Sequence, residues 1–378
     1  MAGASKILVI GGTGHFGARI SRRLARLPSV EILISSRGAA KAELLAQEIK
    51  LAHTNATVTG VALDQKSAAF DTDIRRLAPF AVIHTAGPYQ GQDYRVAKAC
   101  IDVRCHYIDL ADGRNFVNNF KVLNYEARRN GVLLVSGAST LPGISTAVID
   151  DLKSRMKRIT GIAISIAPAH QTPRGAGTVA AVLSYCGQPF KTLKDGRWET
   201  TYGWQDLRVE KHPALGRRLS AACDVPDLSL LPEYLPDVRD VSFHAALEAS
   251  WEQLSLWLMA WMTRLRLVRD WSRYANLFSA VSARLIALGS MKGGMHIKVS
   301  GESTDGKPAT FSWYLTADDN HGPEIPCTPS IVLLKKLLRG ELHERGAYAC
   351  HGFFTLEEIM DELGDFAISS EIVEKANC

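Results

Sequence analysis

The chain contains no run of about 18 apolar residues, so no segment reads as a bilayer-spanning helix. It contains no CxxC pair. Its seven cysteines (100, 105, 186, 223, 327, 350 and 378) are odd in number and scattered, which argues against a disulfide framework and for reduced thiols. No HExxH and no Cys/His set at zinc spacing occurs, so no metal site is expected. No GxSxG is present, and no Cys–His dyad can be argued from spacing. There is no basic stripe, which speaks against a nucleic-acid partner. The opening "MAGASKILVIGG" passes directly into a strand-like run without a cleavage-site pattern. A cytoplasmic location is the resulting expectation.

What is present is ordinary globular material. The 378 residues suffice for roughly two domains. Hydrophobic residues make up 46% and charged residues 22%, enough for a substantial core. The net charge of +5 suits an anionic small ligand or surface.

"KILVIGGTGHFGARISRRLARL" reads as a buried strand (Ile7, Leu8, Val9, Ile10), a glycine turn, then a helix with Ala18, Ile20, Leu24 and Leu27 at helical spacing. Gly12, Gly14 and Gly17 form G-x-G-x-x-G. In that order of elements the turn places a pyrophosphate at a helix N-terminus. The alternation continues, with strands expected near 30–36, 56–62, 80–85, 106–110 and 132–136. Helices are expected near 39–51, 92–103 and 114–130. Repeated βα units imply a parallel sheet covered on both faces, with its crevice at the C-terminal strand ends.

About 20 residues beyond such a glycine motif, an acid would bind the ribose 2′-OH of NAD. Here that place holds Ser36 and Arg37, with Lys41 one turn later. Hydroxyls and a cation suit a 2′-phosphate, which a carboxylate would repel. The cofactor expected is NADP(H). Glu31 opens the strand rather than closing it.

Two further strand ends carry polar detail. "AVIHTAGPYQGQDY" leaves its strand at His84–Thr85 and turns through Ala86 and Gly87 to Tyr89. "CHYIDLADGRNF" ends a strand at Asp109, with Asp112 just beyond. Carboxylates there face the crevice and can bind substrate or relay a proton. Asp112 equally suits the cap of a helix beginning near Arg114. Tyr94 and Lys98 share YxxxK spacing but sit directly after the AGPY turn without a serine context, so the match reads as coincidence.

Together "GGTGHFG", "SSR", "HTAGPYQG", "CIDVRCHYIDLADG" and "SGASTLPGIS" resemble the saccharopine dehydrogenase-like oxidoreductases over residues 6–145. Weaker echoes such as "DGRW", "GGM" and "GAYACHGFFTLEE" run further along the chain. The resemblance implies an α/β protein using NADP(H). A Rossmann domain would span 1–140 and an α+β substrate and dimerisation domain on a mixed or antiparallel sheet 141–320. C-terminal helices over 321–378 would pack back on the first domain. It assigns the pyrophosphate to Gly12, Thr13, Gly14, His15, Phe16 and Gly17, and the adenosine phosphate to Ser36 and Arg37. Ala86, Gly87 and Tyr89 approach the nicotinamide end. Tyr89, Asp109 and Asp112 are the candidate proton donors. No signature specific to saccharopine is seen.

Beyond residue 150 the pattern changes. Strands are expected at 159–168, 238–247, 295–301 and 308–316, the last two joined at Asp305-Gly306. Arg174, at a glycine-rich helix start, could receive a carboxylate or phosphate, or lie in a plain loop. Trp198, Tyr202 and Trp204 read as cleft aromatics or as core; Tyr202 and Trp204 are substrate candidates with Arg174. Between 250 and 289, Trp251, Leu254, Trp257, Leu258, Trp261 and Leu265 follow helical spacing, interleaved with Arg264, Arg266, Arg269 and Arg273. This helical pair can pack in the core, line an apolar tunnel, form a homodimer face or rest on a membrane surface. Residues 328–364 read as two helices, with Thr355 and Glu358 forming a capping box. The leading expectation is hydride transfer to an imine, carbonyl or activated alkene. The alternatives are an NADP-binding sensor or scaffold without turnover, and a membrane-peripheral, lipid-linked reductase.

Overall fold

The computed structural model describes residues 4–172 and 176–376. Strands and helices first alternate: β1 (Ser5–Ile10), α1 (His15–Leu24), β2 (Val30–Ser36), α2 (Ala39–Ala52), β3 (Thr57–Ala62), α3 (Phe70–Leu77) and β4 (Ala81–His84). They continue with α4 (Arg95–Asp102), β5 (His106–Asp109), α5 (Arg114–Asn119), α6 (Asn124–Arg129) and β6 (Leu133–Ser136). The one helix expected over 114–130 is thus broken by a 3₁₀ turn at Phe120–Leu123. The other elements expected here agree within about three residues, while α3 was not foreseen.

The next stretch comprises α7 (Ser145–Lys153), β7 (Met156–Ala167), α8 (Ala176–Ser184), β8 (Pro189–Lys194), β9 (Arg197–Tyr202), β10 (Gln205–His212), β11 (Gly216–Ala222) and α9 (Asp227–Tyr234). Then come β12 (Asp240–Ala246), α10 (Ser250–Arg264), α11 (Ala275–Leu285), β13 (Gly293–Ser303) and β14 (Pro308–Ala317). The chain closes with α12 (Thr328–Leu338), β15 (Gly346–Ala349), α13 (Leu356–Glu362) and β16 (Ile368–Ala376).

Two compact units result. The first joins the chain up to Gly143 with Glu324–Phe354; the second joins Ile144–Pro323 with the chain from Thr355. The C-terminal segment therefore does not return whole to the first domain as helices. It divides: α12 and β15 complete the first unit, while α13 and β16 belong to the second. The reason is pairing. β15 continues the first sheet beside β6, and β16 zips along β14 from Ala309↔Ala376 to Ala317↔Ile368.

The first unit holds a seven-stranded sheet in the order β15-β6-β5-β4-β1-β2-β3, parallel throughout. Its inner strands are short apolar runs buried from end to end, as in β4 (AVIH) and β6 (LLVS). That is the signature of strands covered on both faces. Strand order reverses at β1, and ligands in such sheets sit outside the carboxyl strand ends at that point.

The second unit holds a mixed nine-stranded sheet, β10-β11-β12-β7-β13-β14-β16, with β8 and β9 branching from β12. Among its described strands, β7 and β12 are the pair that runs parallel. Ile162, Ile164, Val241, Ile297, Val299 and Trp313 are buried on one side of it. The opposite side carries Ser165, Ser242, His244, Lys298 and Ser300, as the two-residue strand period requires.

Candidate functional site

The loop from β1 into α1 is shaped by glycine. Gly11 has φ +74°, and Gly14 N–H donates to Gly11 O at 2.9 Å. A Cβ on Gly17 would stand 2.4 Å from Gly11 O and 2.7 Å from Gly12 Cα, both backbone atoms that cannot yield. Gly12 N–H donates to Ser35 O at 2.9 Å, pinning the turn to the end of β2. Gly14 is the N-cap of α1. It is exposed, no side chain caps the helix, and no acid occupies the first turn. The first-turn N–H groups and the positive end of the helix dipole therefore have no side-chain cap among the described residues, as an anion site requires. Behind them His15 is held down to about 4 by burial and by Arg19, whose guanidinium lies 3.2 Å from its Nδ1. Arg19 is itself tied to Glu324 at 3.0 Å.

At the end of β2, Ser35 is fully buried and its Oγ has no partner among the described residues. Ser36 Oγ donates to Gly38 O at 2.5 Å, which rigidifies the loop and occupies the hydroxyl's one proton. Arg37 and Lys41 are exposed, and neither has a hydrogen bond or ion pair among the described residues. Glu31 sits at the far end of the strand, in register with Lys6 and Thr57.

The end of β4 is equally ordered. Thr85 Oγ1 donates to Ile10 O and Gly11 O, at 2.9 and 3.1 Å, joining the two loops. Gln92 Nε2 donates to Ala86 O and Pro88 O, at 2.9 and 2.6 Å, so the turn holds its shape. Gly87 is exposed, and a Cβ there would make only an ordinary 3.5 Å contact with Tyr89.

Tyr89 is placed otherwise than its candidacy as proton donor assumes. It is buried against His84 and Phe116, and its hydroxyl donates to His84 O at 2.6 Å. Burial, then the neighbouring Asp109, pushes the phenol up. It is a strut beneath the loop. Tyr94 is similarly engaged, donating to Phe116 O at 2.8 Å.

Asp109 is fully buried. Its Oδ1 accepts from Gly137 N at 2.8 Å, Ala111 N at 2.9 Å and Ser136 Oγ at 3.0 Å, while Oδ2 has no partner among the described residues. Burial raises its carboxyl to about 6, against the pull of those donors. Across the β4–β5 register stands His84, likewise buried. Its Nδ1 lies 2.9 Å from Tyr107 Oη, and burial holds it down to about 3. Asp112 is exposed and accepts from Gln90 Nε2 at 3.3 Å. It does not cap α5, whose N-cap is Gly113 without a side-chain bond. His84, Tyr107, Ser136 and Gly137 were not among the residues singled out as candidates. Their only sequence signal is a polar group at or beside a parallel-strand end.

In the second unit, Trp204 is core rather than cleft. It is 2% exposed, stacked on Tyr185, and its Nε1 donates to Val182 O at 3.2 Å. Tyr202 is half-buried beneath the Arg264 guanidinium, 4.0 Å from its ring centroid. Arg174 lies outside the described residues. The polar side of the second sheet carries a cavity of about 320 Å³ lined by Lys194, Asp206, Arg208, His244 and Lys298. His244, 3.2 Å away, holds the Asp206 carboxyl down to about 2.

An open helix N-terminus, glycines that bring backbone to the turn, and free cations where an NAD-binding acid would stand fit an adenine dinucleotide phosphate. Fold and site thus define a Rossmann-type unit built to bind NADP. Residues 7–135 match the family model of the saccharopine dehydrogenase NADP binding domain, so the first unit carries an NADP-binding domain of that type. No curated protein matches the chain. Apo saccharopine dehydrogenase (L-Glu forming) from Saccharomyces cerevisiae is similar in fold, with a TM-score of 0.68 at 15% identity over 98% of this chain and 100% of that one. An amine dehydrogenase from Mycobacterium smegmatis aligns with 92% of this chain and 95% of its own, at 10% identity and a TM-score of 0.48.

Proposed function

We propose that the protein reduces an imine, carbonyl or activated alkene with NADPH. The observation that carries the cofactor half of this reading is Arg37: a free, exposed guanidinium at the end of β2, beside the α1 turn. The backbone N–H groups of His15, Phe16 and Gly17 receive the pyrophosphate, and Arg37 receives the 2′-phosphate, joined by Ser36 when its hydroxyl turns from Gly38 O to the phosphate. Ala86 and Gly87, held by Gln92, border the nicotinamide end.

NADPH, when bound, supplies a hydride to an electron-poor carbon. The accompanying proton goes to the adjoining nitrogen, oxygen or carbon. Asp112 is the candidate that handles it, because it is exposed at the crevice end of β5 and open to reprotonation by water. Asp109 acts through position. Its buried oxygen gathers Ala111 N, Ser136 Oγ and Gly137 N and so sets the loop that carries Asp112. Tyr89 plays no part in proton transfer, its hydroxyl being spent on His84 O.

Fluorescence titration of NADPH and NADH against wild type and Arg37→Ala tests the cofactor assignment. Loss of a charge-assisted phosphate contact should cost NADPH about 1.5–3 kcal/mol, roughly 10- to 150-fold in affinity, and leave NADH almost untouched. Equal binding of the two cofactors, unchanged by the substitution, would contradict it. NADPH consumption across ketones, cyclic imines and enones then tests turnover; silence over the whole panel would favour a sensor or scaffold.

A further inference from the structure

Of the 17 large apolar side chains exposed among the described residues, 10 fall between Trp251 and Met291. On α10, Trp251, Leu254 and Leu258 form a stripe at helical spacing, 52%, 45% and 58% exposed. The stripe continues into Leu265 and Leu267, which flank Arg266 in the left-handed conformation that ends the helix (φ +61°). On α11 the exposed face runs Leu277, Val281, Arg284 and, one turn further, Leu288. Patches of this extent on a soluble surface mark an interaction site.

The two helices are held as one piece. Trp271, in the connection, donates its Nε1 to Met259 O at 3.1 Å and Thr263 Oγ1 at 3.0 Å, and its ring meets Phe278 of α11 edge-on at 6.3 Å. The apolar tip is therefore presented rather than tucked away.

Charge selects the occupant. Arg266, Arg269, Arg273 and Arg284 are all exposed, and their guanidinium groups have no partner among the described residues. The stretch holds only two acids, Glu252 and Asp270, against five arginines (264, 266, 269, 273 and 284), so its charge is clearly positive. Exposed Leu and Trp interleaved with unpaired Arg is the composition of a segment that lies in the headgroup region of an anionic bilayer. A second copy of the chain fits less well, since a two-fold contact would bring two patches of the same net positive charge together. No helix among the described residues is long and apolar enough to cross a membrane. We propose that the α10–α11 hairpin docks the protein on an anionic lipid surface, with Leu265 and Leu267 entering the interface and the arginines meeting the headgroups.

This inference is independent of the reading of the NADP site. It is tested by co-sedimentation of the full chain with phosphatidylcholine/phosphatidylglycerol vesicles and with pure phosphatidylcholine vesicles. Wild type should pellet with the anionic vesicles at low salt, detach as salt rises, and stay in solution with the neutral ones. Arg266→Gln/Arg269→Gln should weaken partitioning about 30-fold, two arginines at about 1 kcal/mol each. Leu265→Ser/Leu267→Ser should abolish the blue shift of tryptophan fluorescence on binding. Both variants should melt as wild type does by circular dichroism and bind NADPH unchanged. Wild type remaining in the supernatant with anionic vesicles would overturn the proposal. So would salt-insensitive binding equal in all variants. A concentration-dependent dimer dispersed by these same substitutions, with no vesicle binding, would assign the face to a second copy and overturn it too.

Discussion

Asp109 shows how a single buried carboxyl sets the pH response of the first unit. With no solvent around it, its proton is held up to about 6 from an ordinary 3.8, even though three donors converge on Oδ1. The folded state therefore binds more protons than the unfolded one between about pH 4 and 6, and this group's contribution to stability falls as pH rises through that window. Asp109→Asn removes the titration. The stability difference, variant minus wild type, should move in the variant's favour by up to about 3 kcal/mol between pH 4 and 7, at 1.36 kcal/mol per unit. His84 and His106, held down to about 3 and about 4, act in the opposite sense as pH falls below 6.5. Both proteins carry them, so they cancel. Urea unfolding of each protein across this range checks the prediction, and a pH-independent difference would show that Asp109 titrates normally. At this scale the sequence carries position better than environment. Asp109 and Asp112 are both visible as strand-end acids, but which is buried and which exposed is set by Gly137 and Ser136, some 27 residues on. Tyr89 beside two glycines reads as a ligand contact, yet its hydroxyl serves its own loop.

Elements were legible where one face or both had to be apolar. The buried runs of β1, β2 and β4 and the spacing of α10 announce themselves, and so does the β13–β14 hairpin through Asp305-Gly306, with Gly306 at φ +85°. The hairpin β8–β9 uses the same device at Asp195-Gly196, with φ of +49° and +76°. Its strands, PFKTLK and RWETTY, are exposed at seven of their twelve positions and hold too few apolar residues to mark a buried face in the sequence. β16, an edge strand of Ser, Glu and Lys with scattered apolar residues, is unmarked for the same reason. Helix signals that rest on backbone chemistry read more surely. Thr355 Oγ1 accepts from Glu358 N at 3.2 Å, and Glu358 Oε2 accepts from Thr355 N at 2.8 Å, closing the expected capping box on α13. Thr355→Ala should lower the denaturation midpoint by an amount corresponding to about 1 kcal/mol, with Thr355→Ser restoring most of it. An alanine variant as stable as wild type would mean that α13 is held by packing alone.

The whole molecule depends on a chain that leaves its first unit at Gly143 and returns at Glu324. No pattern between 1 and 140 discloses that dependence, because the missing strand and helix lie 180 residues downstream. Within the first unit α12 buries Ile331, Val332, Leu333, Leu334 and Leu337, and β15 covers the edge of β6 in register Gly346↔Leu133 to Ala349↔Ser136. The buried Arg23 of α1 reaches Thr328 Oγ1 at 2.9 Å. Five buried aliphatic side chains at roughly 1.5–3 kcal/mol each exceed about 7 kcal/mol, comparable to the full stability of a domain. A chain truncated after Pro323 should therefore lose the first unit altogether, with no cooperative NADPH-protected melting and with aggregation through the bare β6 edge. A fragment ending at Gly143 should fail in the same way, although it contains every residue assigned to the cofactor. Supplying residues 324–354 through a linker in place of 144–323 should restore both the melting transition and NADPH binding. If the fragment ending at Gly143 bound NADPH by itself, the returning segment would be an accessory to the first unit rather than part of its core.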